Sequence, residues 1–208
     1  MVEYLRTRFG MKRFMIIDWD VHHGNGTQEI FYSDPTVLYF STHQMPLYPR
    51  TGNMNEIGGG EGKGYNVNLP LPPGTSGEVY KEIMTELIEP LAGEFKPEII
   101  AVSAGQDAYF GDPIANLHFT INTYTHITEM LVEIADRHCN GRLTLILEGG
   151  YNLEALLSII AAILSTQANL PIDIVELGHP PERKRSAEFK ERIRQIKATL
   201  SEYWKTLK

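Results

Sequence analysis

Cysteine is almost missing from this chain: Cys139 stands alone in 208 residues. A lone cysteine excludes an intrachain disulfide framework and fits a reducing compartment. The first residues show no signal-peptide pattern, so the expected location is cytoplasmic. No apolar run is long enough to span a bilayer, and no membrane partner is expected. There is no internal repeat and no low-complexity tract, which excludes solenoids and arrays. Positive charge is not in excess either. The net charge of −7 argues against broad nucleic-acid binding, and no direct nucleic-acid partner is expected. What is present is ordinary for a globular protein: 42% hydrophobic and 22% charged residues, long enough for one domain over 1–208.

The apolar pattern alternates between strand-like and helix-like segments. Residues 2–9 read as a helix closed by Gly10. Phe14 to Asp18 is a short buried strand, and 36–41 is a second, rich in β-branched and aromatic residues. Residues 44–64, with Pro46, Pro49 and many glycines, form a long loop of the kind that is often functional. Tyr65 to Leu69 is a strand ended by the turn that starts at Pro70. Val79, Ile83, Leu87, Ile88 and Leu91 mark a helix over 77–93, with Pro90 bending or shortening its last turn. Then come a strand at Glu98 to Ser103, a helix at Ile121 to Arg137, a strand at Leu143 to Leu147 and a helix at Leu153 to Ser165. This order predicts an α/β fold, a mainly parallel sheet with helices on both faces. The tail is different: Phe189, Ile193, Ile196, Leu200 and Leu207 recur at helical spacing opposite Lys and Arg, predicting an amphipathic helix over 186–208 that packs on its own domain.

Three polar clusters each follow a strand: 18–26, 103–112 and 148–152. All three should meet at one edge of the sheet, where open α/β folds place their chemistry. Asp18, Asp20 and His22 occupy every second position as a strand runs out, so they share one face. Two carboxylates and an imidazole converging there suggest a metal site. Such a set accepts zinc, and also Fe(II), Co(II) or Mn(II). The other reading is a strand-end turn capped by carboxylates. His23 points to the opposite face and reads as a packed imidazole rather than a ligand. His43, His118, His126, His138 and His179 sit in no motif, and nothing marks Cys139 as a nucleophile.

Together the stretches Asp18-Trp19-Asp20-Val21-His22-His23-Gly24-Asn25-Gly26-Thr27, Ser103-Ala104-Gly105 with Asp107 and Asp112-Pro113, and Gly149-Gly150-Tyr151-Asn152-Leu153 resemble the histone deacetylase family. That family includes acetylpolyamine amidohydrolases and acetoin-utilisation proteins. Gly64-Tyr65-Asn66-Val67-Asn68-Leu69-Pro70 fits as well, and the likeness runs to about residue 170. It implies the arginase-deacetylase fold and a zinc-dependent amidohydrolase acting on acetyl-lysine or acetylpolyamine amides. By the same resemblance Asp20, His22 and Asp112 are the zinc ligands, leaving an open position for a catalytic metal. Tyr151 donates its phenol proton to the developing oxyanion. Asp18 orients a catalytic imidazole. Asp18, Asp20, His22, Ser41 and Thr42 hold a structural K+ or Na+ ion. Tyr48 and Gly150 line the substrate tunnel.

The chain also departs from the family pattern. Nothing in residues 1–13 matches the tandem histidines that supply the family's general base and acid, so the sequence reads as an N-terminally truncated deacetylase. Loss of acid-base catalysis typically costs about 10²–10⁴ in rate, and the chain alone is expected to be weak or inactive. Uncovered apolar surface would drive homo-oligomerisation or pairing with a separate N-terminal polypeptide. Arg50 stands where the family usually has glycine, and Gln106 replaces an aromatic. A noncatalytic metal-binding fragment or subunit of a split deacetylase is the alternative. An arginase-like ureohydrolase would need more Asp and His ligands, and no Gly-rich phosphate cradle points to a phosphoesterase.

Overall fold

The computed structural model describes residues 1–173, 175–181 and 187–208, with the side chains of 187 and 188 left aside. Five parallel strands run through its centre: β1 (Phe14–Asp18), β2 (Val37–Gln44), β3 (Asn66–Leu71), β4 (Ile99–Ala104) and β5 (Leu143–Leu147), in the order β3-β2-β1-β4-β5. The first strand of the chain is therefore the middle one. Its register sets Asp18 beside Ser103 of β4, and Ala104 of β4 lies beside Leu147 of β5, so the three polar clusters leave the sheet side by side. This is the parallel α/β architecture expected from the alternation of elements.

Strand alternation sends residues to two cores. Met15 and Ile17 join Leu38, Phe40, Val67, Ile100 and Val102 in the larger one. It is covered by α3 (Gly77–Ile83), α4 (Glu89–Phe95), α5 (Ile121–Cys139), α6 (Leu153–Gln167) and α7 (Ala187–Leu200). Phe14 and Ile16 face the other way with Val37, Tyr39 and Ala101, under α1 (Val2–Phe9) and beside Phe31 of α2 (Asn25–Phe31).

Several boundaries differ from the sequence reading. The helix α2 was not foreseen: it buries none of its residues, so no apolar stripe marks it. The strand β3 passes through Pro70 to Leu71 instead of stopping at Leu69. It is an edge strand, where a missing N–H costs no ladder bond. The 77–93 helix continues to Phe95 but is interrupted by a π-helical segment, Met84–Ile88, just before Pro90. Proline lacks an N–H and crowds the carbonyl four residues back, and a π turn absorbs both effects.

The tail helix ends at Leu200; a short 3-10 turn, Lys205–Leu207, follows, and Ser186 lies outside the described residues. Phe189, Ile193, Ile196, Leu200, Trp204 and Leu207 are buried on the larger core. Trp204 donates from Nε1 to Gly64 O at 2.7 Å and packs edge-on against Tyr65 and Phe95. Arg192 donates to Pro70 O at 2.5 Å. The β3 side of the sheet is thereby covered. The β5 side is not: among the described residues β5 pairs with β4 alone, and Ile146, Leu147, Leu153, Leu157 and Leu164 are exposed along it. Among the described residues no helix is long and apolar enough to cross a membrane.

Candidate metal centre

The strand ends converge as their polarity suggested. Asp20 and His22 follow β1, and Asp107 follows β4. One ligand atom from each lies within 4.8 Å of the others. His22 Nδ1 is 3.0 Å from Asp20 Oδ1 and 3.2 Å from Asp107 Oδ2. Asp107 Oδ1 accepts from the Val21 amide at 2.9 Å, but its buried Oδ2 has no aligned donor. Asp20 Oδ2 accepts from the Gly149 amide at 3.1 Å, so the β5 turn is bonded directly to the β1 turn. Glycine is required at two places here. A Cβ on Gly105 would come 2.1 Å from Asp20 Oδ2, and one on Gly149 would come 2.2 Å from Asp107 Oδ2.

Asp112 stands outside this closest set. Its Oδ2 accepts from the Tyr151 amide at 2.9 Å and its Oδ1 from the Ile114 amide at 3.0 Å. Asn152 fixes that arrangement from below: its Oδ1 caps α6 through the Ala155 amide at 3.0 Å, while its Nδ2 donates to Gly111 O at 2.7 Å. The sequence reading passed over Asn152 as a positioning residue and Asp107 as a member of the metal cluster. An Asn immediately before an apolar helix is a recognisable N-cap signal. Asp107 carried no signal beyond its place in a motif, because loop geometry decides which acid lies nearest.

Electrostatics around the cluster favour a cation. Asp107 beside the ring, then Asp20, hold the His22 imidazole protonated up to about 10. Burial pushes the Asp107 carboxyl up, opposed by His22. Two buried carboxylates closing on one imidazole form a donor set that suits a metal ion. The residues fit a metal ion.

Around this centre the remaining predicted residues are found as follows. Asp18 is buried; its carboxylate accepts from Tyr39 OH at 2.7 Å and from the Asp20 amide at 3.2 Å, and burial raises its pKa well above the ordinary range. No imidazole contacts it among the described residues. Thr42 Oγ1 donates to Asp18 O at 3.2 Å. Ser41 is buried, with Oγ 3.0 Å from His43 Nδ1. His23 is turned away into the loop, 2.7 Å from Thr51 Oγ1 and 3.1 Å from Gln28 Oε1. Tyr151 is half exposed, and Tyr48 is 76% exposed at the surface of the 45–52 loop. Slight burial, and then the charges of Asp107, Asp20 and Asp112, raise the Tyr151 phenol above its ordinary range, so it stays a proton donor at neutral pH. Gly150 takes φ +138, and a Cβ there would come 2.9 Å from Gln106 Cβ. That glycine turns the chain from β5 to Tyr151 in close contact with Gln106.

Known proteins resemble this chain over most of its length. The histone deacetylase domain family matches residues 1–167. A probable deacetylase of Archaeoglobus fulgidus is 46% identical over 217 aligned residues, covering 100% of this chain and 60% of that protein. The solved histone deacetylase Clr3 superposes with a TM-score of 0.86 at 34% identity, over 98% of this chain and 34% of that one. The HD domain of HDA15 gives 0.84 at 32% identity, over 99% and 55%. The chain thus spans 60% or less of the length of these relatives. With the family matched over residues 1–167, a relative 46% identical across the whole chain and solved deacetylases superposing on nearly all of it, the chain belongs to the histone deacetylase family.

Proposed function

We propose that this chain carries the metal-binding and oxyanion-stabilising part of a zinc-dependent amidohydrolase that removes acetyl groups from lysine or polyamine amines. The observation that carries the reading is the set Asp20, His22 and Asp107 at the carboxyl ends of β1 and β4. Asp20 and His22 would hold the metal. Asp112, tied to the Tyr151 amide, would complete the set as the family resemblance implies. When bound, the ion supplies Lewis acidity toward the acyl carbonyl and the attacking water. Tyr151, protonated and exposed, donates a hydrogen bond to the oxygen that gains charge. Asp18, Ser41 and Thr42, with Asp20 and His22, would take a K+ or Na+ ion that offsets the local negative charge.

General acid-base catalysis is the weak point. Among the described residues His22 is the one imidazole in the metal cluster, and His23 and His43 are engaged by Thr51, Gln28, Ser41 and Gly52. We therefore read this chain alone as a weak catalyst. Its partner would be a polypeptide that supplies imidazoles and covers the exposed β5 and α6 surface.

The test is deacetylation of a fluorogenic acetyl-lysine peptide by the zinc-loaded chain. The expected result is metal-dependent turnover that is slow for the family, lost with His22→Ala, and raised about 10²–10⁴ by adding the complementary segment of a longer relative. Zinc-independent turnover, or none in either arrangement, would overturn the reading. The noncatalytic alternative predicts metal binding without turnover in both.

A further inference from the structure

The loop between β2 and β3 holds one residue in a conformation it should avoid. Arg50 has φ +66, which L side chains seldom take and glycine takes freely. The loop leaves it little choice. The Arg50 amide donates to Leu47 O at 2.8 Å, closing the turn. On its other side Thr51 is bonded to His23, and Gly52 O lies 3.0 Å from His43 Nε2. A Cβ on Gly52 would come 2.6 Å from the His43 ring and 2.7 Å from His23, so the loop is seated against both imidazoles. His23 follows His22 of the metal cluster in the chain, so this turn is bonded to the segment that carries the site.

The guanidinium itself is exposed, next to exposed Tyr48. Among the described residues Arg50 has no ion-pair partner. The acid closest along the loop, Glu56, is committed elsewhere: Oε1 accepts from the Asn53 amide and side chain, and Oε2 from Gln28 and the Gly52 amide. A bulky cation kept where the backbone favours glycine, with its five donors unused, is a strained feature for which internal contacts give no reason.

We propose that Arg50 is a specificity-determining residue. It receives a carboxylate placed near the acylated amine, so the site takes acetyl-lysine with neighbouring acidic groups in preference to acetylated polyamines. This rests on the deacetylase reading above and narrows its substrate class. Guanidinium presents a planar fork of donors that matches a carboxylate, and it repels the ammonium groups of a polyamine.

The test compares four probes on the zinc-loaded full chain: an acetyl-lysine peptide flanked by Asp, the same peptide flanked by Lys, free ε-acetyl-lysine with its own carboxylate, and an acetylated polyamine. Binding by competition against a fluorescent acetyl-lysine peptide, and kcat/KM, are read for wild type, Arg50→Gly, Arg50→Lys and Arg50→Glu. Wild type should favour the Asp-flanked over the Lys-flanked peptide about three- to ten-fold, less at high salt. Arg50→Gly should abolish the ratio, Arg50→Glu invert it and Arg50→Lys retain part. The free amino acid tells whether the substrate's own carboxylate suffices. The melting temperature of Arg50→Gly should be no lower than that of wild type, which separates lost selectivity from lost folding. Equal ratios in wild type and Arg50→Gly, or a wild-type preference for the polyamine, would overturn this assignment alone. Failure of all four probes to bind or react would overturn the deacetylase reading with it.

Discussion

The two halves of the sheet are finished differently. On the β3 side, α7 and the Trp204 turn lie over the edge, and Asn66 and Asn68 are tied by their amide groups to Gln28 and to Glu56 O. The first part of the site, Asp18 to His22, leaves the middle strand, and its acids are buried and bonded on several sides. On the β5 side the last strand has a free edge among the described residues, with exposed leucines, and the part of the site that grows from it, Gly149 to Asn152, includes the half-exposed Tyr151. The Asp18–His22 part is held by bonds to its own neighbours. The Gly149–Asn152 part is held by backbone bonds to Asp20 and Asp112, with open surface behind it.

The largest effect should come from substituting matched positions on the two sides. Trp204→Ala removes a buried ring and its bond to Gly64 O, and is expected to cost about 3–5 kcal/mol in urea unfolding. Leu147→Lys on the free edge should change stability by about 0.5 kcal/mol or less, because the side chain is 55% exposed. A loss of several kcal/mol from Leu147→Lys would mean the β5 edge is covered in solution, and the contrast would fail.

A smaller effect sharpens the picture of the closed half at its amino-terminal end. Asp34 accepts from Thr36 and pairs with Arg6 at 2.7 Å, tying α1 to the start of β2. Burial pushes its carboxyl up, but Thr36 and Arg6 together outweigh this and hold it below 3.8. A carboxylate whose pKa is depressed on folding contributes stability that is fully present above its unfolded value and lost as pH falls through the folded one. Asp34→Asn should therefore flatten the loss of stability on acidification below about pH 4, by roughly 1 kcal/mol or less. An unchanged acid profile in thermal melts would show that the α1 tie contributes nothing.

Much of this was legible in the sequence because it depends on period and order. The chain order of elements predicts a parallel sheet with its polar turns at one edge; the alternation of Asp18, Asp20 and His22 does not carry through, because β1 ends at Asp18, whose carboxylate accepts from Tyr39 while Asp20 and His22 meet Asp107. What stayed hidden depends on tertiary context. The helix α2 opens with Asn25, Gly26 and Thr27, which are poor helix formers, and it buries nothing. The π turn before Pro90 answers a local backbone conflict that leaves the apolar spacing intact. Asp107 and Asp112 are five residues apart in one loop, and only the fold brings Asp107 against His22 while Asp112 turns to the Tyr151 amide. Arg50 was visible as a departure from glycine, but its left-handed backbone was not.

The most direct test of the account is anomalous diffraction from crystals of the zinc-loaded chain. It predicts one strong zinc peak at the carboxyl ends of β1 and β4, bonded to Asp20 and His22 together with an acid of the 107–112 loop. A peak elsewhere, or none in this pocket, would contradict it.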